Sequence, residues 1–514
     1  MSNSSITRIT GMATGLDTDT IVKKLMNVEK IPLDKLIQKQ QKQMWLSDAF
    51  RQWNKDLFSF NTNTLFNMKL SSAYNTFDVS SSQSNSVSGT GTSSAVPGTY
   101  TVKVNNVAES ATFTGKDVQL KPAQTLSEAG QLADKTTIKI KVYNNPNDSS
   151  AFQFADIAID PDDTINNVVS KINSSTDASG KSLGLQAIYD ANLKQFIVRS
   201  KATGENIKVE ISDDGTTESQ NLLNNTLKIG TGSQNGKDAD ISFNGNQVKT
   251  ASNNVVIMGI SLSLKSPTLD SNGVPITSTI TVSQNIDTEV KNIKDFIDKY
   301  NDLLDKLNKA NDEPVYKDFL PLTDDQRSEM SEKQIEQWEA KAKSGLLHGD
   351  SIIKDIVNKM RNVMNSIVGN GSTYNSLLAL GISSKGYQDK GKLYVDETKL
   401  RAAIQADPDG VRNLFSQIGD NEKGTNGLVH RLSETMTQGI NDLTKKAGLT
   451  GGSQYDQSVI GKLLSNIQKD ITRQNDRLNK AENQYYKQFA AMEAAVNKFN
   501  SQGSWLYSQF NSGQ

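Results

Sequence analysis

Side chains able to carry out catalysis are scarce in this chain of 514 residues. It contains two histidines, His348 and His430, which lie far apart in helix-like surroundings. No histidine pair has the spacing of a metalloprotease. The chain has no cysteine, which excludes disulfides and thiolate metal ligands. We therefore predict that the protein is not an enzyme and uses no cofactor.

Two further segments contain residue types found in ligand sites. Asp160, Asp162 and Asp163 carry carboxylates, but Pro161 interrupts them and the glycine and final glutamate of an EF-hand are missing. A helix start capped by Asp163 or Thr164 explains them better, because carboxylates there favour the helix dipole. Residues 175–182 resemble a phosphate-binding loop only at their end. Neither segment predicts a metal or cofactor site.

The strongest pattern is a heptad repeat at the end of the chain. Every seventh residue is apolar: Leu464, Ile471, Leu478, Tyr485, Met492, Phe499 and Leu506. The second seam is weaker: Ile460, Ile467, Gln474, Ala481, Gln488, Ala495 and Gln502. This spacing predicts a coiled-coil helix about 65 Å long at about 1.5 Å per residue. We expect Gly503 to break its last turn. The partner helix lies either in another subunit or elsewhere in this chain.

Two other segments have the same alternation of three- and four-residue steps. One comprises Leu46, Phe50, Trp53, Leu57 and Phe60. The other comprises Ile286, Val290, Ile293, Ile297, Tyr300, Leu304 and Leu307. The first is the candidate partner of the terminal heptad repeat. It belongs to a helix predicted from about Leu33 to Leu70, after an interruption at Pro32.

Between the helical ends the apolar period changes to two, which is typical of strands. We predict an α+β multidomain fold: coiled-coil-like helical N- and C-terminal legs packed together, with two inserted β-rich head domains. Residues 80–98 are predicted to be a loop rich in serine, glycine and threonine. The predicted divisions are a flexible N-terminal leg segment 1–40, a helical leg 41–75, an inner head domain 76–110 with 236–285, an outer head domain 111–235, a second helical leg part 286–459 and a C-terminal heptad helix 460–514.

Charge and hydropathy limit the partners. The net charge is −1, from 56 basic and 57 acidic residues, so no field of one sign is present to attract nucleic acid. No apolar run is long enough to insert into a membrane. Residues 1–20 lack the apolar stretch of a secretory signal peptide, so export would need another route.

Specific strings near both ends of the chain carry more information than the periodicity. Near the start these are Thr10-Gly11-Met12-Ala13-Thr14-Gly15-Leu16-Asp17, Ile21-Val22, Leu25-Met26, Glu29 and Pro32-Leu33. Near the end they are Tyr485-Tyr486-Lys487-Gln488-Phe489, Met492, Asn500-Ser501-Gln502 and the segment from Leu506 to Phe510. Shorter strings between them are Gly349-Asp350-Ser351, Leu380-Gly381-Ile382, Gly391-Lys392-Leu393 and Asp407-Pro408. Together they resemble one known family, the flagellar filament cap proteins (FliD, hook-associated protein 2), over roughly half of the chain.

The resemblance implies a ring of identical subunits, commonly a pentamer, at the tip of the bacterial flagellum. Exported flagellin would fold and join the filament beneath it, with hook–filament junction proteins as further partners. The resemblance also implies export through the flagellar type III channel and a flagellar export chaperone that binds the C-terminal helix. We expect the heptad residues from Leu464 to Leu506, with Leu46, Phe50, Trp53, Leu57 and Phe60, to form the assembly interface. Segments 1–40 and 460–514 would be flexible in the monomer and ordered in the filament.

The sequence leaves two alternative functions open. Another flagellar axial protein, either a flagellin or a junction protein, also has helical ends around a variable middle, but the terminal strings favour the cap. A surface adhesin would bind mucin or glycans through the β head domains. Tyr100, Phe113 and Tyr143 have rings able to stack on sugars, although buried strand positions explain them more simply.

Overall fold

The computed structural model describes residue 15 and residues 17–145, 151–449 and 456–511. The chain forms two compact units. One combines Met1–Ala73 with Val290–Gln514, and the other is the continuous segment Tyr74–Glu289. Residues 10–14 and 16 of the N-terminal string, and residues 450–452 of a glycine-rich loop, lie outside the described residues.

The first unit begins with a long helix, α1 (Thr18–Ser59). Asp17 caps it, because its side chain accepts the Thr20 N–H at 3.0 Å. The predicted interruption at Pro32 is wrong, since the helix runs through this residue. Pro32 is exposed, so its ring meets no neighbouring helix, and packing on both sides of it outweighs the lost backbone hydrogen bond. A π-helical turn (Phe60–Leu65) and α2 (Phe66–Lys69) continue the helical path.

The second unit is mainly β-structure. Its elements are β1 (Phe77–Ser81), β2 (Val87–Gly91), β3 (Gly98–Asn106), β4 (Ser110–Lys116), β5 (Thr136–Tyr143), β6 (Phe152–Ile159), α3 (Ile165–Asn173), β7 (Leu185–Asp190), β8 (Gln195–Thr203), β9 (Lys208–Ser212), α4 (Thr217–Asn221), β10 (Gly232–Asn235), β11 (Ala239–Phe243), β12 (Asn246–Thr250), β13 (Asn254–Ile257), β14 (Ile260–Leu264) and β15 (Ser278–Gln284). The loop predicted over 80–98 is wrong in part, because β1 ends and β2 lies within it. β1 pairs with β15, and β2 pairs with β14. This pairing makes strands of a polar segment whose sequence alone does not predict them.

Two separate hydrophobic cores lie within the second unit. A five-stranded sheet, β1-β15-β3-β11-β12, and a three-stranded sheet, β13-β14-β2, contribute to one core, which includes Val102, Ile241 and Leu262. A four-stranded sheet, β10-β9-β5-β6, and a three-stranded sheet, β4-β8-β7, contribute with α3 to the other, which includes Ile140 and Phe196. Neighbouring strands run antiparallel. Buried residues alternate with partly buried ones along β5 and with exposed ones along the second half of β6.

The chain then returns to helices in the first unit. The elements are α5 (Ile286–Asp312), α6 (Asp324–Ser328), α7 (Glu332–Lys343), α8 (Ser351–Met364), β16 (Ile382–Ser383), β17 (Tyr394–Val395), α9 (Glu397–Ala406), α10 (Pro408–Ser416), α11 (Leu428–Ala447) and α12 (Val459–Asn511). Thr323 and Gln326 form a capping box at the start of α6. The predicted break at Gly503 is wrong, because α12 passes through this residue to Asn511.

The seam predicted over 286–307 lies on α5 and forms much of the core of the first unit. Ile293, Tyr300, Leu304 and Leu307 are fully buried. The structure confirms the predicted fold class, an α+β multidomain protein whose N- and C-terminal helices pack together, with β-rich structure inserted between them in the chain. In the described parts of the chain, no helix combines the length and the apolar character needed to cross a bilayer.

Candidate assembly interface

Helices α1 and α12 lie side by side and run in opposite directions. Gln40 Nε2 donates to Gln468 Oε1 at 2.8 Å, and the Tyr486 hydroxyl lies 3.1 Å from Asp19 Oδ1. As the residue number rises along one helix, the number of its partner falls along the other. Between these two pairs, Glu29 contacts the Tyr485 hydroxyl at 3.3 Å. The terminal heptad helix therefore has a partner within its own chain.

Apolar side chains fill the space between the two helices near the start of α1. Val22, Met26 and Leu478 form a buried cluster. Partly buried side chains pack around it: Leu33, Ala481, Tyr485, Tyr486 and Phe489. Burying one large apolar side chain stabilises the pair by about 1.5–3 kcal/mol.

The heptad stripe on α12 divides into a covered part and an uncovered part. In the covered part, Ile471 and Leu478 are each 8% exposed, and Leu464 and Tyr485 are half-buried. In the uncovered part, the exposed fractions are 37% for Met492, 70% for Phe499 and 49% for Leu506. The change occurs at the level of Thr18, the first residue of α1, because α12 continues beyond that end of α1.

The first residues of the second seam of α12 are more deeply buried than its weak apolar pattern predicts. Ile460 and Ile467 are each 2% exposed, which makes them more deeply buried than Leu464. The glutamine positions that follow are partly or fully exposed, as at Gln474 and Gln488. The seam is therefore an interior contact at one end and a solvent-facing surface at the other.

The candidate partner segment, Leu46, Phe50, Trp53, Leu57 and Phe60, lies elsewhere than predicted. The neighbouring Asn54 donates through Nδ2 to Thr444 Oγ1 on α11 at 2.7 Å, and Ser47 Oγ lies 3.4 Å from the Ala447 carbonyl. Most of the segment thus packs along α11, and its predicted pairing with the stripe is wrong for Trp53, Leu57 and Phe60. The physical reason is the antiparallel register: counted from the Gln40–Gln468 contact, the first residue of α12, Val459, lies level with about residue 49, so these three residues lie past the start of α12.

Burial shows what this segment does instead. Phe50 is 1%, Leu57 0% and Phe60 7% exposed, whereas Leu46 and Trp53 are half-buried. The close approach of α11 depends on Gly439, where an added Cβ would lie 2.9 Å from Ile356 Cδ1 and 3.3 Å from Leu57 Cδ1. The three buried residues therefore belong to the interior of the first unit and offer no surface to a second subunit.

Charged groups fix the two ends of the α1 contact region. Arg51 donates through Nε to the Ala447 carbonyl at 3.0 Å and through Nη2 to Asp456 Oδ2 at 3.1 Å, joining the end of α11 to the approach to α12. At the other end, hydrogen bonds from the Thr20 hydroxyl and the Thr20 N–H lower the pKa of Asp17. A carboxylate that stays ionised is suited to a helix N-terminus.

The residues considered for catalysis have structural roles. His430 Nε2 lies 3.2 Å from the Ser416 carbonyl, and burial followed by the nearby Lys69 lowers its pKa. His348 Nδ1 lies 3.0 Å from the Glu313 carbonyl. Within residues 17–145, 151–449 and 456–511, no cluster of three or more histidine, aspartate or glutamate side chains has a geometry that could hold a metal ion.

The acidic group near α3 is a helix start, as predicted. Thr164 is the cap, because its hydroxyl accepts the Asn167 N–H at 3.3 Å. Lys171 forms ion pairs with Asp160 at 3.2 Å and Asp163 at 2.5 Å. Lys135 also pairs with Asp160, at 3.1 Å, so two lysine ammonium groups balance the charge of the two carboxylates.

The three aromatic residues considered for sugar stacking are buried. Tyr100 and Tyr143 are each 7% exposed, and Phe113 is 4% exposed. The Tyr100 hydroxyl donates to the Val96 carbonyl at 2.8 Å. Their rings are occupied by protein contacts, in agreement with the simpler explanation.

Two exposed aromatic residues near the end of α12 were not singled out from the sequence. Trp505 is 62% and Tyr507 72% exposed, on either side of Leu506. They fall outside both seams, so heptad spacing alone could not identify them. The signal that could have found them is three consecutive large apolar residues on a helix that is otherwise polar.

Comparisons with known proteins agree with the resemblance seen at the chain ends. The family model described as flagellar hook-associated protein 2 C-terminus matches residues 236–501, and the corresponding N-terminus model matches residues 14–111. Flagellar hook-associated protein 2 of Halalkalibacterium halodurans is 30% identical, with 98% of this chain and 99% of that protein aligned. The B-type flagellar hook-associated protein 2 of Pseudomonas aeruginosa is 30% identical over 76% of each chain.

A solved structure resembles this fold. The crystal structure of the D1-D2-D3 domains of the flagellar cap protein FliD from Escherichia coli aligns with a TM-score of 0.50. It is 18% identical and covers 75% of this chain and 98% of that chain. At this identity the likeness concerns the fold alone.

Proposed function

The chain belongs to the flagellar hook-associated protein 2 (FliD) family, and from this premise we propose that it caps the distal end of the flagellar filament through the exposed end of α12. It is a structural protein of the bacterial flagellum and not an enzyme. In this role it assembles with copies of itself, promotes the folding and polymerisation of flagellin and prevents flagellin loss from the tip.

The observation that carries the proposal is the change along α12 from a covered to an uncovered heptad stripe. From Ala490 to Asn511 the helix continues for roughly 33 Å at about 1.5 Å per residue. Met492, Phe499 and Leu506 keep the seven-residue spacing over this length while remaining exposed. A regular apolar stripe of this kind is suited to a second helix packing against it.

The energy available from covering the end of α12 is substantial. Phe499, Trp505, Leu506 and Tyr507 are between 49% and 72% exposed. Burying a side chain of this size contributes about 1.5–3 kcal/mol. Four such side chains supply enough free energy to offset part of the entropic cost of association. We therefore assign the assembly surface to Met492, Phe499 and Leu506 together with Trp505 and Tyr507, and no longer to Leu46 and its heptad neighbours.

The proposal extends to partners and to domains. The cap is a ring, taken as a pentamer from the family resemblance, in contact with flagellin and the hook–filament junction proteins. It reaches the flagellum tip through the type III export channel, and a chaperone covers the exposed stripe before assembly. The inserted unit divides into an inner domain (76–110 with 236–285) and an outer domain (111–235), which the two separate hydrophobic cores support. Of the segments predicted to become ordered on assembly, we retain the end of α12 beyond Tyr486, because the part before it packs against α1.

The test is flagellin partitioning after deletion of the gene. Flagellin on the cells and flagellin free in the medium are quantified in the wild type, the deletion strain and the deletion strain carrying the intact gene. We expect monomeric flagellin in the medium, hooks without filaments and rescue by the intact gene. Normal filaments with no flagellin leakage in the deletion strain would reject capping.

Subunit number needs a separate measurement. Light scattering coupled to size-exclusion chromatography of the purified full chain, over a range of concentrations, gives the mass of the largest discrete particle. A mass five times that of the chain supports the pentamer. A discrete ring of another size corrects the number and leaves capping in place.

A further inference from the structure

Five asparagines in this chain are each followed by glycine: Asn235, Asn244, Asn272, Asn370 and Asn426. Asn–Gly pairs are the sequence most prone to deamidation, because glycine has no Cβ to hinder attack by its backbone nitrogen on the asparagine side chain. The reaction needs a side-chain amide that is free to rotate and a following glycine nitrogen that is free to move onto it. The fold therefore decides which of the five pairs can react.

Two of the pairs are held firmly in the first unit. The Asn370 side chain donates to the Tyr374 and Gly410 carbonyls, each at 3.0 Å. Asn426 is 6% exposed and donates to Asn421 Oδ1 at 2.9 Å. Ring closure at either position would break these bonds inside the protein.

Two further pairs are held in the inserted unit. Asn244 Oδ1 accepts the Thr101 N–H at 2.8 Å, which fixes the side chain against β3. Asn235 lies in β10, and the N–H of the following Gly236 donates to the Ile207 carbonyl at 2.8 Å. A Cβ on Gly236 would lie 2.4 Å from the Gly204 carbonyl oxygen, so the backbone there has little room to move.

The fifth asparagine, Asn272, is exposed in a tight turn between β14 and β15. Asp270 holds this turn, since its Oδ1 accepts the N–H groups of Asn272 at 2.9 Å and Val274 at 2.8 Å. The Asn272 side-chain amide makes no hydrogen bond with any described residue. Gly273 has a φ of 79° and open space around it, and its N–H makes a single bond of 3.1 Å to the Asp270 carbonyl.

We propose that Asn272–Gly273 is a site of spontaneous covalent modification, in which the chain acts on itself and water is the only co-reactant. The Gly273 nitrogen loses its proton and attacks Asn272 Cγ, forming a new C–N bond. The bond from Cγ to the side-chain nitrogen breaks, and ammonia leaves with that proton. Water then opens the five-membered succinimide at one of its two carbonyls and yields aspartate or isoaspartate. No oxidant or reductant is required.

The products change the turn that produced them. Either one places a second carboxylate beside Asp270, and the two negative charges repel each other. Isoaspartate also inserts one carbon into the backbone, which displaces Val274 from the Asp270 oxygen. The modification therefore loosens this turn of the inserted unit with time, independently of the cap function proposed above.

Peptide mapping by mass spectrometry tests the proposal on the purified full chain. The protein is incubated at mildly alkaline pH, in buffer and in urea, and conversion at all five asparagines is followed with time. A fragmentation method that distinguishes aspartate from isoaspartate identifies the products. Asn272→Gln removes the reactive residue, because glutamine would close a larger ring more slowly. Asn244→Gln is the matched control at another turn.

In buffer we expect Asn272 to convert severalfold faster than each of the other four, with both products present. In urea the five deamidation rates should become similar, because the unfolded chain no longer holds four of the pairs. This result would show that the fold determines which pair reacts first. Asn272→Gln should abolish the early conversion, and Asn244→Gln should leave it unchanged. Equal rates for all five in buffer, faster conversion at Asn244, or the same excess at Asn272 in urea as in buffer would each overturn the proposal.

Discussion

The Tyr486 hydroxyl on α12 lies 3.1 Å from the carboxylate of Asp19, which is the second residue of α1. This contact marks the level at which the two-helix part of the leg ends. The stripe residues before it, Ile471 and Leu478, are each 8% exposed, whereas Phe499 after it is 70% exposed. One heptad stripe therefore contains an intramolecular half and a half available to other chains, and substitutions can separate the two.

The double substitution Met492→Asp with Phe499→Asp tests the available half. Both side chains are exposed, so we expect the free energy of unfolding of the isolated protein to change by no more than about 0.5 kcal/mol. Capping should be lost, because charges on the stripe prevent a second helix from packing there. Urea unfolding measures the first effect, and flagellin released into the medium measures the second.

The matched control is Leu478→Asp in the covered half. It buries a carboxylate beside Val22 and Met26 and should destabilise the leg by about 3 kcal/mol or more. Filaments of normal length in the double variant would rule out the exposed stripe as the assembly surface.

Tyr300→Phe should stabilise the protein. Tyr300 is fully buried on α5, and its hydroxyl has no hydrogen-bond partner among the described residues. Removing this oxygen relieves an uncompensated desolvation cost, so the free energy of unfolding should rise by about 1–2 kcal/mol. Urea unfolding followed by circular dichroism measures the change.

Tyr100→Phe is the control for the hydroxyl itself. Tyr100 is also buried, but its hydroxyl donates to the Val96 carbonyl at 2.8 Å. Its removal should lower stability by about 1 kcal/mol. A loss of stability in both variants would show that the Tyr300 hydroxyl has a partner in solution.

Glu289 gives the inserted unit a pH dependence. Its carboxylate is buried, accepts the Thr76 N–H at 3.3 Å and the Gln284 side-chain N–H at 3.1 Å, and burial raises its pKa. The folded state then holds the proton more strongly than the unfolded state. Its stabilising contribution is complete below the unfolded pKa of about 4.3 and is lost as pH rises through the higher folded pKa.

Glutamine cannot ionise, so Glu289→Gln should not lose stability as pH rises. The free energy of unfolding of the variant should therefore increase relative to that of the wild type between acidic and neutral pH. Urea unfolding at a series of pH values measures the difference. Glu397→Gln is the control of opposite sign, because Lys294 lowers the pKa of Glu397 and its contribution is lost as pH falls. A stability difference for Glu289→Gln that does not vary with pH would contradict the assignment.

Gly439 tests the close packing of α11. An alanine there gains about 1 kcal/mol of helix propensity, but its Cβ would lie 2.9 Å from Ile356 Cδ1. Overpacking costs about 1–3 kcal/mol, so Gly439→Ala should be destabilising overall. Ile356→Ala removes both atoms that this Cβ would meet most closely, Cδ1 at 2.9 Å and Cγ1 at 3.0 Å. The double variant should therefore show a favourable coupling energy of about 1 kcal/mol in urea unfolding, and simple additivity would argue against the contact.

Much of the fold was predictable because it follows from local spacing. The heptad positions on α12 and the alternation along β5 and β14 predict those elements correctly. The partner of each stripe was not predictable, since Leu57 and Leu304 show the same period as Leu478 and spacing carries no information on register. Val87 and its serine-rich neighbours form β2 only through pairing with β14. Pro32 was misleading because tertiary packing outweighed its local preference.

The unequal lengths of α1 and α12 have a mechanical consequence. The resistance of a rod to bending rises steeply with its thickness. The part of the leg where α12 packs against α1 is therefore stiffer than the part of α12 beyond Tyr486, where no described helix lies alongside it. Thermal bending is therefore concentrated in the segment that bears Phe499 and Trp505. The leg combines a rigid shaft with a compliant tip, and the tip can follow small displacements of whatever it contacts while the shaft keeps its shape.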